Sequence, residues 1–129
     1  MGIEYPGLLR RYFSTVIDGL FITFMIILSG YIFDSKNHYL TNIRIGIIVF
    51  MFFVYEPYCT SFLCTLGQKI TGIRVRKSYD YEKINLIQAY IREIVKIFLG
   101  IISFFTIPFS KNKRAIHDMA VGSIVIYKR

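Results

Sequence analysis

The chain contains no tryptophan, three prolines, two cysteines and half as many acids as bases, eight Asp and Glu against sixteen Lys and Arg in 129 residues. Each shortage narrows the field. Cys59 and Cys64 lie within one apolar run, without CxxC or His-rich spacing, so neither a disulfide nor a metal site is expected. No Ser–His–Asp order and no paired-carboxylate site emerges, so no enzymatic activity and no cofactor are expected. TLGQKITGIRV (Thr65 to Val75) sets Gly67 and Gly72 around Lys69, but it lacks the glycine run and the G-K-[ST] ending of a phosphate loop. A helix C-cap and a strand turn are the uses expected of those two glycines. There is no internal repeat and no low-complexity segment, and the length suits a single domain, residues 1–129.

Apolar residues, by contrast, are abundant: 54% hydrophobic, 17% aromatic, mean hydropathy +0.49. Two runs, Tyr12 to Phe33 and Ile45 to Leu66, reach the length of about 20 residues that crosses a bilayer. They predict an all-α integral membrane protein with helices over about 10–33 and 44–66. Arg10 and Arg11 ahead of the first run resemble the charged lead of a signal peptide. The run, however, exceeds the usual apolar stretch of about 7 to 15 residues and has no A-x-A-like site, so a retained span is expected.

A net charge of +8 in a soluble chain would point to nucleic acid. Here the bases flank apolar runs and no nucleic-acid motif accompanies them, so they set topology beside anionic lipid. The positive-inside rule predicts both termini on the cytoplasmic side of a plasma (inner) membrane. It puts the loop Asp34 to Arg44 (DSKNHYLTNIR) outside, and returns Gly67 to Asn85, with Lys69, Arg74, Arg76, Lys77 and Lys83, to the inside. Within that return, Ile70 to Arg76 alternates like a strand, Tyr79 and Asp80 suit a turn, and Tyr81 to Asn85 reads as the antiparallel mate. A hairpin over about 69–85 follows, with Gly122 to Tyr127 as a further strand.

The third apolar region, 86–109, carries Arg92, Glu93 and Lys96 in its first half. Only Ile97 to Phe109 is free of charge, too short to span. A straight crossing would also leave Lys111, Lys113, Arg114, Lys128 and Arg129 outside. The charge rule favours an amphipathic piece bent near Gly100 or Pro108 that returns the tail, 110–129, to the inside; a true crossing is the alternative.

Asp18 and Glu56 each stand alone inside a run. An ionised carboxylate there costs about 2.5 to 3.5 kcal/mol unless it faces a partner or water. Helical spacing aligns Arg11, Ser14, Asp18, Ile22, Met25 and Ser29 on the first helix, and Glu56, Thr60, Cys64 and Gly67 on the second. Gln88, Arg92, Lys96, Gly100 and Ser103 align on the third segment. The expectation is a buried network of Arg11, Asp18, Glu56, Arg92 and Lys96, with acids on the first two helices facing bases on the third. Two uses stay open: ion pairs that fix packing, or a carboxylate that exchanges a proton or binds a cation. Pro57, directly after Glu56, frees carbonyls one turn back, which either ligate a cation or shape the helix. In the tail, Arg114 and Asp118 are i,i+4 partners with His117 beside them, a proton-handling pair or a salt-bridged interfacial turn. His38 reads as solvated.

Three ordered blocks resemble RDD-domain membrane proteins: GLLRRYFSTVIDGL with Arg10, Arg11 and Asp18, then TLGQKITGIRV, then KRAIHDMAVGSIVI at Lys113 to Ile126. The resemblance covers nearly the whole chain. It implies that the arginine naming the family is Arg11 or Arg10, that the two aspartates are Asp18 and Asp118, and that Arg92 in AYIREIVKIF is a further family arginine. Ser14 and Ser123 depart from the usual alanine and threonine. The resemblance also implies a part in cation or proton transport, which for so few helices requires an oligomer. The alternative it implies is an accessory subunit that helps assemble a larger membrane complex.

Overall fold

The computed structural model describes residues 2–33 and 36–128; Met1, Asp34, Ser35 and Arg129, and with them the first two residues of the expected outer loop, lie outside the described residues. Helix α1 runs Leu8–Ile32. The second helical stretch is α2, His38–Phe50, a π-helical turn, Met51–Tyr55, α3, Glu56–Phe62, and after a break α4, Leu66–Thr71. Strand β1, Ile73–Lys77, leads to α5, Leu86–Leu99, and a 3-10 turn, Gly100–Phe104; α6, Ile116–Ala120, and β2, Ser123–Tyr127, end the chain. Leu8–Ile32 and His38–Thr71 are both long and apolar enough to cross a membrane. The fold is mostly helical, with a small two-stranded sheet.

Polarity is distributed inside out. On α1 the buried residues are Arg11, Ser14, Asp18, Ile22 and Ser29, whereas Leu20, Phe24 and Ile27 are each more than half exposed. Water would not tolerate that arrangement; hydrocarbon favours it, because the polar groups then satisfy one another inside. The buried face is the polar stripe expected from helical spacing.

The second helix starts at His38, not near Arg44. The Asn37 side chain accepts a hydrogen bond from Tyr39 N at 3.1 Å, an N-cap that the apolar run did not reveal. Arg44 therefore lies inside the helix and its guanidinium covers Gly30 of α1, where a Cβ would come within 2.9 Å of Nη2. The π turn has a cause in Pro57: without an N–H at that position the Phe53 carbonyl loses its ordinary partner, and the ladder widens over Met51–Tyr55.

The hairpin expected over 69–85 does not form. Ile70 and Thr71 belong to α4, Tyr81 to Asn85 is not a strand, and β1 pairs with β2 antiparallel, Ile73 opposite Tyr127 and Lys77 opposite Ser123. The turn at Tyr79–Asp80 exists, with Tyr81 N donating to Lys77 O at 3.2 Å. Beyond it the chain is drawn away: Ile84 packs with Ile73, Val75, Ala89 and Val125 in the core between sheet and α5, and Asn85 caps α5. Gly67 is not a C-cap but lies inside α4; Gly72, at φ 68°, is the left-handed residue that ends α4.

Helix α5 covers about 21 Å at 1.5 Å per residue, short of a bilayer core. It buries Ala89 and Arg92 and exposes Ile87, Ile91, Ile94, Ile97 and Phe98. The bend falls at Gly100, whose φ of 53° and ψ of −132° suit glycine alone. Turns follow, and a second small core of Phe104, Ile107 and Ala115 leads into α6.

Candidate functional site, a charge network at the break in the second helix

Helix α6 is a single turn, and its Asp118 carboxylate is wholly buried. It accepts from Arg11 Nη2 on α1, from Arg92 Nε on α5 at 3.0 Å, and from its own Ala115 N at 3.1 Å. Arg11 also donates to Lys113 O at 2.7 Å. One carboxylate thus ties together α1, α5 and the tail. Burial alone would raise the Asp118 pKa, but Arg11 and then Arg92 hold it far below the usual carboxylate range.

His117 is buried beside this cluster. Its Nε2 lies 3.4 Å from Arg92 Nη2, and its Nδ1 meets the Ser103 hydroxyl. Arginine can only donate, so Nε2 accepts and the ring proton sits on Nδ1, toward Ser103. Burial, with Arg92 adding to it, pushes the imidazole down to about 3, so it is neutral at physiological pH.

A second group lies next to it. Lys96 on α5 donates to Glu56 at the start of α3, and its ammonium is 3.7 Å from Glu93. Glu93, outside the two spans, is pushed up to about 7 by burial and the neighbouring Glu56 carboxylate, against the pull of Lys96 and Arg92.

Asp18 departs from the expected pairing. Among the described residues it pairs with no base; Thr65 Oγ1 donates to it at 2.6 Å and Gly67 N at 2.8 Å. Those partners exist because the helix breaks at Leu63 to Thr65 and α4 begins afresh. Thr65 caps α4, its hydroxyl accepting from Gln68 N at 3.3 Å while donating to Asp18. Close approach demands Gly67: a Cβ there would strike the Ser14 backbone oxygen and lie 2.8 Å from Asp18 Oδ2.

The expected network therefore divides. Glu56 pairs with Lys96, Arg11 and Arg92 turn to Asp118, and Asp18 binds neutral donors. Arg114 does not pair with the Asp118 carboxylate; it donates to Ser123 O at 3.0 Å and to the Asp118 backbone carbonyl at 3.4 Å. Arg10 lies outside, its guanidinium 4.9 Å over the Tyr127 ring. Ser103 lies on the polar stripe expected of the third segment, whereas Thr65, Gln68 and Glu93 fall outside the expected network. For Thr65 the signal was present: Thr-Leu-Gly-Gln reads as a cap followed by a fresh helix start.

Two spaces adjoin these groups. A cavity of about 20 Å³, room for one water, is lined by Asp18, Glu56, Gln68, Arg92, Lys96 and His117 among others. Among the described residues the buried Gln68 Oε1 has no hydrogen-bond partner. A crevice of about 350 Å³ is walled mainly by apolar side chains such as Ile22, Phe52 and Ile101, with Thr15, Asp18, Glu56, Glu93 and Lys96 among them, so Asp18, Glu56 and Lys96 border both. Among the described residues no group of three or more His, Cys, Asp or Glu is placed to hold a metal ion.

Lipid-facing apolar helices around an interior of paired ions define a membrane domain organised by a buried charge network. The chain belongs to the RDD family, whose model matches residues 5–122. Of the two candidate arginines, Arg11 is the one that meets Asp118. No curated protein and no solved structure matches the chain.

Proposed function

We propose that this RDD domain takes part in moving a proton or small cation across the membrane, as an oligomer and without enzymatic chemistry. The observation that carries this reading is the charge balance of the side chains around these two spaces. Three fixed cations, Arg11, Arg92 and Lys96, face four carboxylates, Asp18, Glu56, Glu93 and Asp118. With His117 neutral, one further positive charge balances the set. A proton shared by Glu56 and Glu93 supplies it, as does a cation beside Asp18 and the unpartnered Gln68 Oε1. Breaks in spanning helices are where transporters place such sites, and both Asp18 and Glu56 adjoin one. Lys96, placed between the two spaces, is the gate: its ammonium competes with the incoming charge for Glu56.

In this reading the sheet end of the bundle faces the cytoplasm, where its bases lie against anionic lipid. The test is cation-driven proton flux in proteoliposomes. The Asp18→Asn/Glu56→Gln protein is expected to lose the flux of the wild type while keeping its helical circular dichroism. Equal flux from both proteins removes the assignment.

An accessory role is the second reading, favoured by the broad apolar exposure of α5, from Ile87 to Phe98, on a helix too short to span. Purification from native membrane in mild detergent tests it; recovery of a second membrane protein in fixed ratio supports it, and recovery of the chain alone counts against it.

A further inference from the structure

At the sheet end a separate cleft of about 520 Å³ lies between the N-terminal residues 2–4 and the face of the ribbon that bears Arg74 and Arg76. Strand alternation explains that face: Ile73 and Val75 go to the core, so Arg74 and Arg76 project to the opposite side. Tyr81, Ile126, Tyr127 and Lys128 add to the wall, and among the described residues Glu4 is the one acid lining it. Among the described residues neither arginine has an ion-pair partner, and the Nε–H of Arg74 is buried without any acceptor. A guanidinium N–H left so costs about 1 to 3 kcal/mol, unless something from outside the chain accepts from it.

A second feature lies on the same wall. Tyr81 holds φ at 59°, a left-handed backbone rare for an aromatic residue, and it lines the cleft. We propose that this cleft is an anion site that takes a phosphate group, gripped by the paired guanidinium forks of Arg74 and Arg76 with Lys128 as a supporting charge. The site is distinct from the charge network and does not depend on the transport reading. Its place, next to the first turn of α1 where Arg10 stacks on Tyr127, is the headgroup level of that span. Both a lipid phosphate and the phosphate of a soluble ligand can reach it.

The full chain in a phosphate-free maltoside detergent provides the test. In one arm, native mass spectrometry compares retention of phosphatidylglycerol with that of diacylglycerol, which lacks the phosphate. In the other, tyrosine fluorescence follows inorganic phosphate against chloride at equal ionic strength. Wild type is expected to prefer the phosphate-bearing probe in at least one arm. Preference in the lipid arm alone identifies a bilayer ligand, and a response to inorganic phosphate identifies a soluble one. Arg74→Gln/Arg76→Gln is expected to weaken binding at least about tenfold, the loss of a charge-assisted hydrogen bond. Arg74→Lys, which keeps charge and fold but lacks the fork, is expected to fall between. Wild type that prefers neither probe, or that binds no better than Arg74→Lys, overturns the proposal, even where the double variant fails to fold.

Discussion

Arg11 and Asp118, 107 positions apart, meet as a buried ion pair that closes the first turn of α1 onto the last turn before β2. With Arg92 as the third member, two guanidiniums share one carboxylate that also caps α6. Removing the shared acid strands both cations in a dry interior, and breaking such a pair costs about 3 to 5 kcal/mol. Asp118→Asn is therefore expected to lower thermal stability in detergent by several kcal/mol. Arg10→Gln, outside the cluster, is expected to change it by less than about 1 kcal/mol. Thermal unfolding of the two variants beside wild type checks both values.

The crossing of α1 and α4 depends on the absence of one methyl group. Gly67→Ala drives a Cβ into the Ser14 carbonyl, so the two helices must part and Asp18 loses its short bonds. A loss of about 1 to 3 kcal/mol is expected. Gly19→Ala and Gly46→Ala, where nothing lies within 4 Å of the added carbon, serve as controls. In these two the better helix propensity of alanine gives no loss, or a gain of a few tenths of a kcal/mol. A melt of Gly67→Ala that coincides with the controls contradicts the close crossing.

Two buried groups give opposite pH slopes. His117 titrates at about 3 when folded against 6.5 when unfolded, so between those values the unfolded chain binds more protons. Stability then rises with pH from 3 to 6.5 and is flat above. Glu93 is raised to about 7 from 4.5, so the unfolded chain loses its proton first and stability falls as pH climbs from 4.5 to 7. The two effects oppose each other between 4.5 and 6.5. Glu93→Gln removes the falling limb and is expected to steepen the gain in stability across that window, as read from melting temperature against pH. A slope unchanged by the substitution contradicts the raised pKa of Glu93.

Glu56 and Lys96 test whether the second pair holds the fold or only charge. Lys96→Met leaves Glu56 and Glu93 facing each other without their cation, and a loss of about 3 to 5 kcal/mol is expected. Adding Glu56→Gln removes one carboxylate and is expected to restore a large part of that loss, giving a coupling energy of about 1 to 3 kcal/mol. Additive losses in the double-mutant cycle show that the two side chains do not act together.

The two spans were legible because hydrophobic length alone fixes them, and the stripe Arg11, Ser14, Asp18 was legible because helical period puts it on one face. The strand near Gly122 to Tyr127 was legible from alternation, whereas residue type offered Gly100 or Pro108 for the bend and the structure takes Gly100. The start at His38 was hidden, since a polar Asn37 cap lies outside any apolar run. The hairpin expectation erred because β1 suits any partner of matching alternation, and local sequence cannot tell Tyr81–Asn85 from Ser123–Tyr127.

Sequence by itself therefore determined what must be buried in lipid and which charges must be compensated there. Tertiary structure alone decided who compensates whom. Four carboxylates and three bases can be matched in many ways that satisfy the same rule of opposite signs. The choice fell to β2 docking on β1, which anchors α6 and delivers Asp118 to Arg11 and Arg92. The break at Leu63 to Thr65 then offered Asp18 a hydroxyl and a backbone amide in place of a cation.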